Sequence, residues 1–136
     1  MCAIRWTPRS HAQYPHDRPG LHVAGLQQVF LSLFRHAFHN FDVNNRGDVE
    51  PTITVDLSKF YDSLWIKVQH NGKGLTGEEQ QVIFEPFFQS DLVEGERIEN
   101  RLSFSYFIIT EDHGGRMSVT SDVNIGTTFH IQLELR

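Results

Sequence analysis

With 136 residues, 39% of them hydrophobic and 11 of them phenylalanine, the chain has the size and apolar content of one folded domain. A formal charge of -5 and the lack of any Lys/Arg-rich run exclude the basic footprint of a nucleic-acid binder. The single cysteine, Cys2, excludes an internal disulfide, and no apolar run reaches a membrane span, so the expectation is one soluble domain in a reducing, cytoplasmic setting.

In chain order, Ala3 to Trp6 reads as a short strand, after which Pro8, Pro15, Pro19 and Gly20 interrupt regular structure. From Val23 to Phe41, Leu26, Val29, Phe30, Leu33, Phe34, Ala37 and Phe41 recur at three- and four-residue steps, which predicts a helix with one buried face ending near Asn40. Gln28, Ser32, His36 and His39 form a polar stripe along one edge of that face. Two alternating runs follow, Ile53/Val55/Leu57 and Leu64/Ile66/Val68, with Ser58 to Ser63 as the hairpin connection. The second run enters Gln69-His70-Asn71-Gly72-Lys73-Gly74, whose glycines permit a tight turn and a close approach of backbone to a ligand. Residues 77–84 read as a short helix leading to an aromatic plug, Phe84, Phe87 and Phe88. The segment 89–101 carries the acids Asp91, Glu94, Glu96 and Glu99 and few apolar residues, so it reads as a mobile lid. Leu102 to Asp112 is apolar almost all round, predicting a deeply buried helix stopped by His113-Gly114-Gly115. Strands Arg116 to Ser121 and Thr127 to Leu135 close the chain, joined at Asn124-Ile125-Gly126. Helices at two places and strands in hairpins predict an α+β layer structure.

Three stretches extend this reading. LQQVFLSLFRHAFHNF (26–41), VQHNGKGLTGEEQQVIFEPFF (68–88) and EDHGGRMSVTSDVNIGTTFHIQLEL (111–135) together resemble the asparagine, first glycine, phenylalanine and closing segments of the catalytic, ATP-binding domain of sensor histidine kinases, a Bergerat-fold (GHKL) ATPase. The likeness runs from about residue 21 to the C-terminus, with residues 1–20 matching only loosely, so 1–136 reads as a single domain. It implies a two-layer α/β sandwich with a mixed, mostly antiparallel sheet and helices on one face. It also implies ATP and Mg as cofactors, and a histidine-bearing dimerisation domain or a response regulator as partners. The nucleotide-binding positions it implies are Ser32, His36, His39, His70, Gly72, Gly74, Phe87, Arg101, Ser103 and Thr127, with His36 at the metal position. No direct membrane insertion and no catalytic residue within this chain are expected.

Residue by residue, the polar ligands differ from that pattern. Ser32 and His36 replace asparagines, and magnesium favours oxygen ligands over an imidazole nitrogen. His70 replaces the aspartate that reads the adenine amino group. Arg101 and Ser103 place side chains where a second glycine box presents bare backbone to phosphate. The acids of the lid oppose a triphosphate, and Arg97 and Arg101 offset them only in part. His36, His39 and His70 can be read as a partial metal site or as polar fill; the lack of a completing cysteine or carboxylate favours polar fill. The expectation is a domain degenerate in ATP binding that acts as a regulatory or docking module. A working domain that phosphorylates a histidine on a separate segment is the alternative, and a pocket for another small ligand is a third.

Overall fold

The structure is a computed structural model that describes residues 3–8, 23–43, 50–85 and 101–135, the first of these and 42–43 by backbone alone. Strand β1 (Ala3–Pro8) precedes helix α1 (Val23–Val43), the hairpin β2 (Thr52–Phe60) and β3 (Ser63–His70), helix α2 (Gly77–Val82) and helix α3 (Leu102–Phe107). A π-helical segment (Ile108–Asp112) continues α3, and β4 (Arg116–Asp122) and β5 (Gly126–Glu134) complete the chain. One five-stranded sheet forms in the order β1-β2-β3-β5-β4. Only the β1–β2 pair is parallel; the other three are antiparallel, so the sheet is mixed and mostly antiparallel as the sequence predicts.

Period-two alternation decides which face is covered. Ile53 and Val55, Ile66 and Val68, and Phe129, Ile131 and Leu133 are buried together with Val29, Leu33 and Ala37 of α1 and Ile108 and Ile109 of the π segment. On β3 the intervening Trp65, Lys67 and Gln69 face solvent. The helices therefore lie on one face of the sheet, and β3 and β5 run through its middle beneath α1.

Several boundaries differ from the sequence reading. Helix α1 runs past Asn40 to Val43, because Asn40 turns its amide back onto the carbonyl of His36 (2.7 Å) and leaves the helical ladder intact. The β2–β3 connection is only Tyr61-Asp62, since the strands pair from Ile53↔His70 to Phe60↔Ser63; Tyr61 takes φ 55 to close the turn. Helix α2 stops at Val82, where Glu85 N–H bonds the Val82 carbonyl (2.9 Å) and tightens the chain into a turn. The expected deep burial of 102–112 holds only in part. Ser105, Ile108 and Ile109 are buried, whereas Tyr106 and Phe107 reach solvent, and the wider π turn lets two consecutive isoleucines enter the core. β4 reaches Asp122 and β5 opens at Gly126, so the turn is Val123 to Ile125. The expected breaks at Pro15, Pro19 and Gly20, and the lid at 89–100, lie outside the described residues.

Candidate functional site

The glycine turn follows directly from β3 and is held on every side by the chain's own groups. The Asn71 N–H bonds the Thr52 carbonyl (3.3 Å), while its side chain accepts from Thr52 N–H and donates to the Glu50 carbonyl, each at 2.8 Å. Gly72 N–H donates to His70 Nδ1 (3.1 Å), Lys73 N–H to the Asn40 carbonyl (3.4 Å), and Leu75 N–H to Ser121 Oγ (2.6 Å). Thr76 N–H donates to the Glu79 carboxylate while Thr76 Oγ1 accepts from Glu79 N–H, a capping box that starts α2. The backbone donors of Asn71, Gly72, Lys73, Leu75 and Thr76 are thus all engaged inside the fold.

The glycines serve the same closeness. A Cβ on Gly72 would stand 3.0 Å from Phe41 Cδ1 and 3.1 Å from the Asn40 carbonyl carbon. On Gly74 it would strike the Asp122 carbonyl, and on Gly126, at φ 141, the His70 carbonyl. Here the missing side chains admit neighbouring backbone of the same chain.

Above the turn, α1 contributes a ladder at four-residue spacing. Gln28 Nε2 donates to Ser32 Oγ (3.3 Å), and Asn40 Nδ2 lies 3.2 and 3.3 Å from the two ring nitrogens of His36. Ser32 and Asn40 are buried and His36 is partly buried. The His36 ring lies 5.4 Å from the ring of His70 and meets Phe129 edge-on at 5.4 Å; Phe41 meets His70 edge-on at 5.9 Å. Burial first, then the neighbouring His70 and His39, lower the pKa of His36 to about 3, so it is neutral at physiological pH.

Hydrogen bonding also fixes the proton of His70. Because Nδ1 accepts from Gly72 N–H, the hydrogen of the neutral ring is on Nε2. That tautomer is the wrong one for metal ligation through Nε2, and no group of three or more His, Cys, Asp or Glu side chains able to hold a metal occurs among the described residues. Magnesium fits no better. The helix position that the resemblance implies for the metal, His36, holds a neutral imidazole, and the Ser32 hydroxyl accepts from Gln28.

The remaining predicted positions divide in two. Thr127 is buried, faces His70 across the β3–β5 register and bonds Ser121 Oγ (2.9 Å), so it joins the cluster. His39 stands near enough to His36 to affect its charge. Arg101 and Ser103 sit at the start of α3; Arg101 makes no side-chain cap there, and its Nε is buried without a partner among the described residues. Phe87 lies outside the described residues, while Phe84 stacks on Tyr106 at 5.0 Å.

Two participants escape the sequence reading. Asn40 is fully buried at the ladder's end, and its signal is the four-residue step from Ser32 through His36, which a stripe drawn through His39 misses. Ser121 accepts from Leu75, donates to the Gly126 carbonyl (2.8 Å) and meets Thr127, contacts between distant segments that leave no local pattern.

Residues 22–136 match the family described as histidine kinase-, DNA gyrase B- and HSP90-like ATPases, and the chain belongs to that family. It is 35% identical over 110 residues to the sensor protein SrrB of Staphylococcus aureus (strain NCTC 8325 / PS 47), an alignment covering 79% of this chain and 18% of that protein. The nucleotide-free catalytic domain of histidine kinase ThkA superposes with a TM-score of 0.73 at 19% identity, over 98% of this chain and 78% of that one. The mycobacterial sensor histidine kinase MprB gives 0.73 at 19% identity, over 99% and 84%. ThkA in complex with the response regulator TrrA gives 0.74 at 18% identity, over 99% of this chain and 34% of that chain. These likenesses establish the histidine-kinase catalytic-domain fold.

Proposed function

We propose that this chain is the catalytic-domain-like part of a two-component sensor histidine kinase that has kept the ATPase frame without its ATP-holding groups, and that it acts as a regulatory or docking module. The observation that carries the reading is the state of the glycine turn. Its donors at Asn71, Gly72, Lys73, Leu75 and Thr76 are engaged within the fold, and His70 at its head carries its hydrogen on Nε2. An adenine amino group needs an acceptor at that point, and a protonated ring nitrogen repels it. The neutral imidazole of His36 and the paired hydroxyl of Ser32 likewise offer magnesium a poor oxygen shell. A histidine-bearing dimerisation domain or a response regulator is the partner proposed, in keeping with ThkA bound to TrrA. Within a larger sensor, the domain is assigned to the cytoplasmic portion; among the described residues no helix is long and apolar enough to cross a membrane.

Calorimetric titration with Mg-ADP and Mg-ATP tests the proposal. Dissociation constants weaker than about 100 μM, a free energy near -5.5 kcal/mol, are expected. Tighter binding overturns the reading in favour of a working ATP-binding kinase domain, the second reading, which the 35% identity to SrrB favours. The double variant His36→Asn/His70→Asp is expected not to restore nucleotide binding, because Arg101 and Ser103 still occupy the start of α3. Clear recovery would show that the two histidines alone account for the loss.

A further inference from the structure

Strand β4 lies at one edge of the sheet and pairs with β5 alone. An open edge carries N–H and C=O groups that attract another strand, so natural folds cover it. Here the cover is partial. At the C-terminal end of β4, Gln80 of α2 donates to the Ser121 carbonyl (3.2 Å), and Leu75 N–H donates to Ser121 Oγ (2.6 Å). Just before its N-terminal end, the Gly115 N–H is taken by the Ile109 carbonyl at 2.8 Å. The backbone groups of Gly115 and Ser121 bonded in this way are turned away from β5. In an antiparallel ladder every second residue turns its N–H and C=O to the same side, so Met117 and Val119, between those two, turn theirs outward as well. Among the described residues neither has a hydrogen bond outside the ladder.

A cleft of about 490 Å³ opens along this uncovered stretch, with residues 115–118 in its lining. Tyr106 and Thr110 line it from the helical layer, and Trp65 and His130 from the strands. The Tyr106 ring stacks on Phe84 at 5.0 Å, which fixes its exposed part as an apolar wall. Arg116 lies in one cross-strand row with Gln132 and the exposed Trp65, on the face opposite the helices. The cleft lining holds that cation and no carboxylate.

We propose that the edge from Arg116 to Val119 is a docking site for an extended strand of a partner protein whose residues alternate acidic and apolar. The strand adds to the sheet beside β4, with Met117 and Val119 supplying the ladder bonds. Its side chains point alternately to the two faces, the apolar set toward Tyr106 and the acidic set toward Arg116. A second copy of this chain is the poorer occupant, since its β4 brings another Arg116 and no acid before Asp122. The glycine turn meets the other end of β4, at Ser121 and Asp122, so the site does not rest on whether ATP binds.

A capped synthetic octapeptide alternating Glu and Val is the probe, with a Lys/Val octapeptide as its counterpart. Each is titrated into the intact chain at about 0.15 M salt, which screens the chain's distant charges and leaves contacts at Arg116 in force. The Glu/Val peptide is expected to bind about fivefold more tightly or better, with a dissociation constant below about 1 mM, and to slow amide exchange at Met117 and Val119. Arg116→Glu is expected to reverse the preference. Val119→Pro removes one outward N–H without touching the ladder to β5, and is expected to weaken binding of the Glu/Val peptide by about tenfold. If that variant does not fold, exchange protection in the unmodified chain still separates an added strand from a loose charge contact. The proposal is overturned by equal affinities, by no binding at about 1 mM, or by binding that leaves those two amides unprotected. Dimerisation of the peptide-free chain through β4 also overturns it.

Discussion

At His36 the charge state is set by packing: the ring is wedged between His70 and the edge contact with Phe129, with His39 nearby on the same helix. Its pKa falls from 6.5 in the unfolded chain to about 3 in the folded one. Between those values the unfolded chain holds a proton that the folded chain refuses, so acidification favours unfolding. The stability this residue permits is fully present above pH 6.5 and is lost as pH falls toward 3. The slope has a ceiling of about 1.4 kcal/mol per pH unit, and the solvent access the residue retains makes the real value smaller. Denaturant unfolding between pH 7 and pH 4 should show this decline, and His36→Gln, which does not titrate, should flatten it. An unchanged slope in the variant would assign the acid sensitivity to other groups.

Among the elements, those with a local period were legible before the structure. Helix α1 and strands β2, β3 and β5 each repeat their apolar residues at the spacing of their own backbone, whereas the order β1-β2-β3-β5-β4 depends on pairings between distant segments. What the sequence hides depends on distance or on backbone detail. The bond from Leu75 N–H to Ser121 Oγ joins segments 46 residues apart, and nothing near either residue announces it. The π turn at Ile108–Asp112 arises from a single altered hydrogen-bond step, which composition does not encode. Helix α2, expected over 77–84, is started by a capping box between Thr76 and Glu79. With six residues and no buried side chain, α2 is held by that cap and by the Gln80 side chain, which donates to the carbonyls of Leu75 (3.3 Å) and Ser121 (3.2 Å). Thr76→Ala should therefore destabilise the segment by about 1 kcal/mol, read as faster amide exchange at Glu79 and Gln80 with little change at β3. Equal loss of protection across β3 would show that the cap supports the whole fold.

Across the whole molecule, the glycine turn is a junction. It meets α1 through Asn40 and Phe41, the end of β4 through Ser121 and Asp122, and the β4–β5 turn through Val123. Gly74→Ala would press a methyl group into the Asp122 carbonyl and to 2.7 Å from Val123 Cα, so the β4–β5 turn must move. A loss of about 2–3 kcal/mol in unfolding free energy is expected, measured by the denaturant midpoint. Gly77→Ala is the control: nothing lies within 4 Å of its Cβ position. At the first residue of α2 that change should lie within about 0.5 kcal/mol of neutral. If the two variants were equally stable, the close backbone contact would have no energetic weight. The parallel pairing of β1 with β2 bears on a different property, solubility. Ala3–Pro8 covers one side of β2 from Thr52 to Leu57, a strand that carries Ile53 and Val55. Clipping the first eight residues would turn β2 into an open edge with unpaired amides and carbonyls. Such an edge is a template for another chain, so the trimmed protein should self-associate through β2 even where its nucleotide frame remains folded.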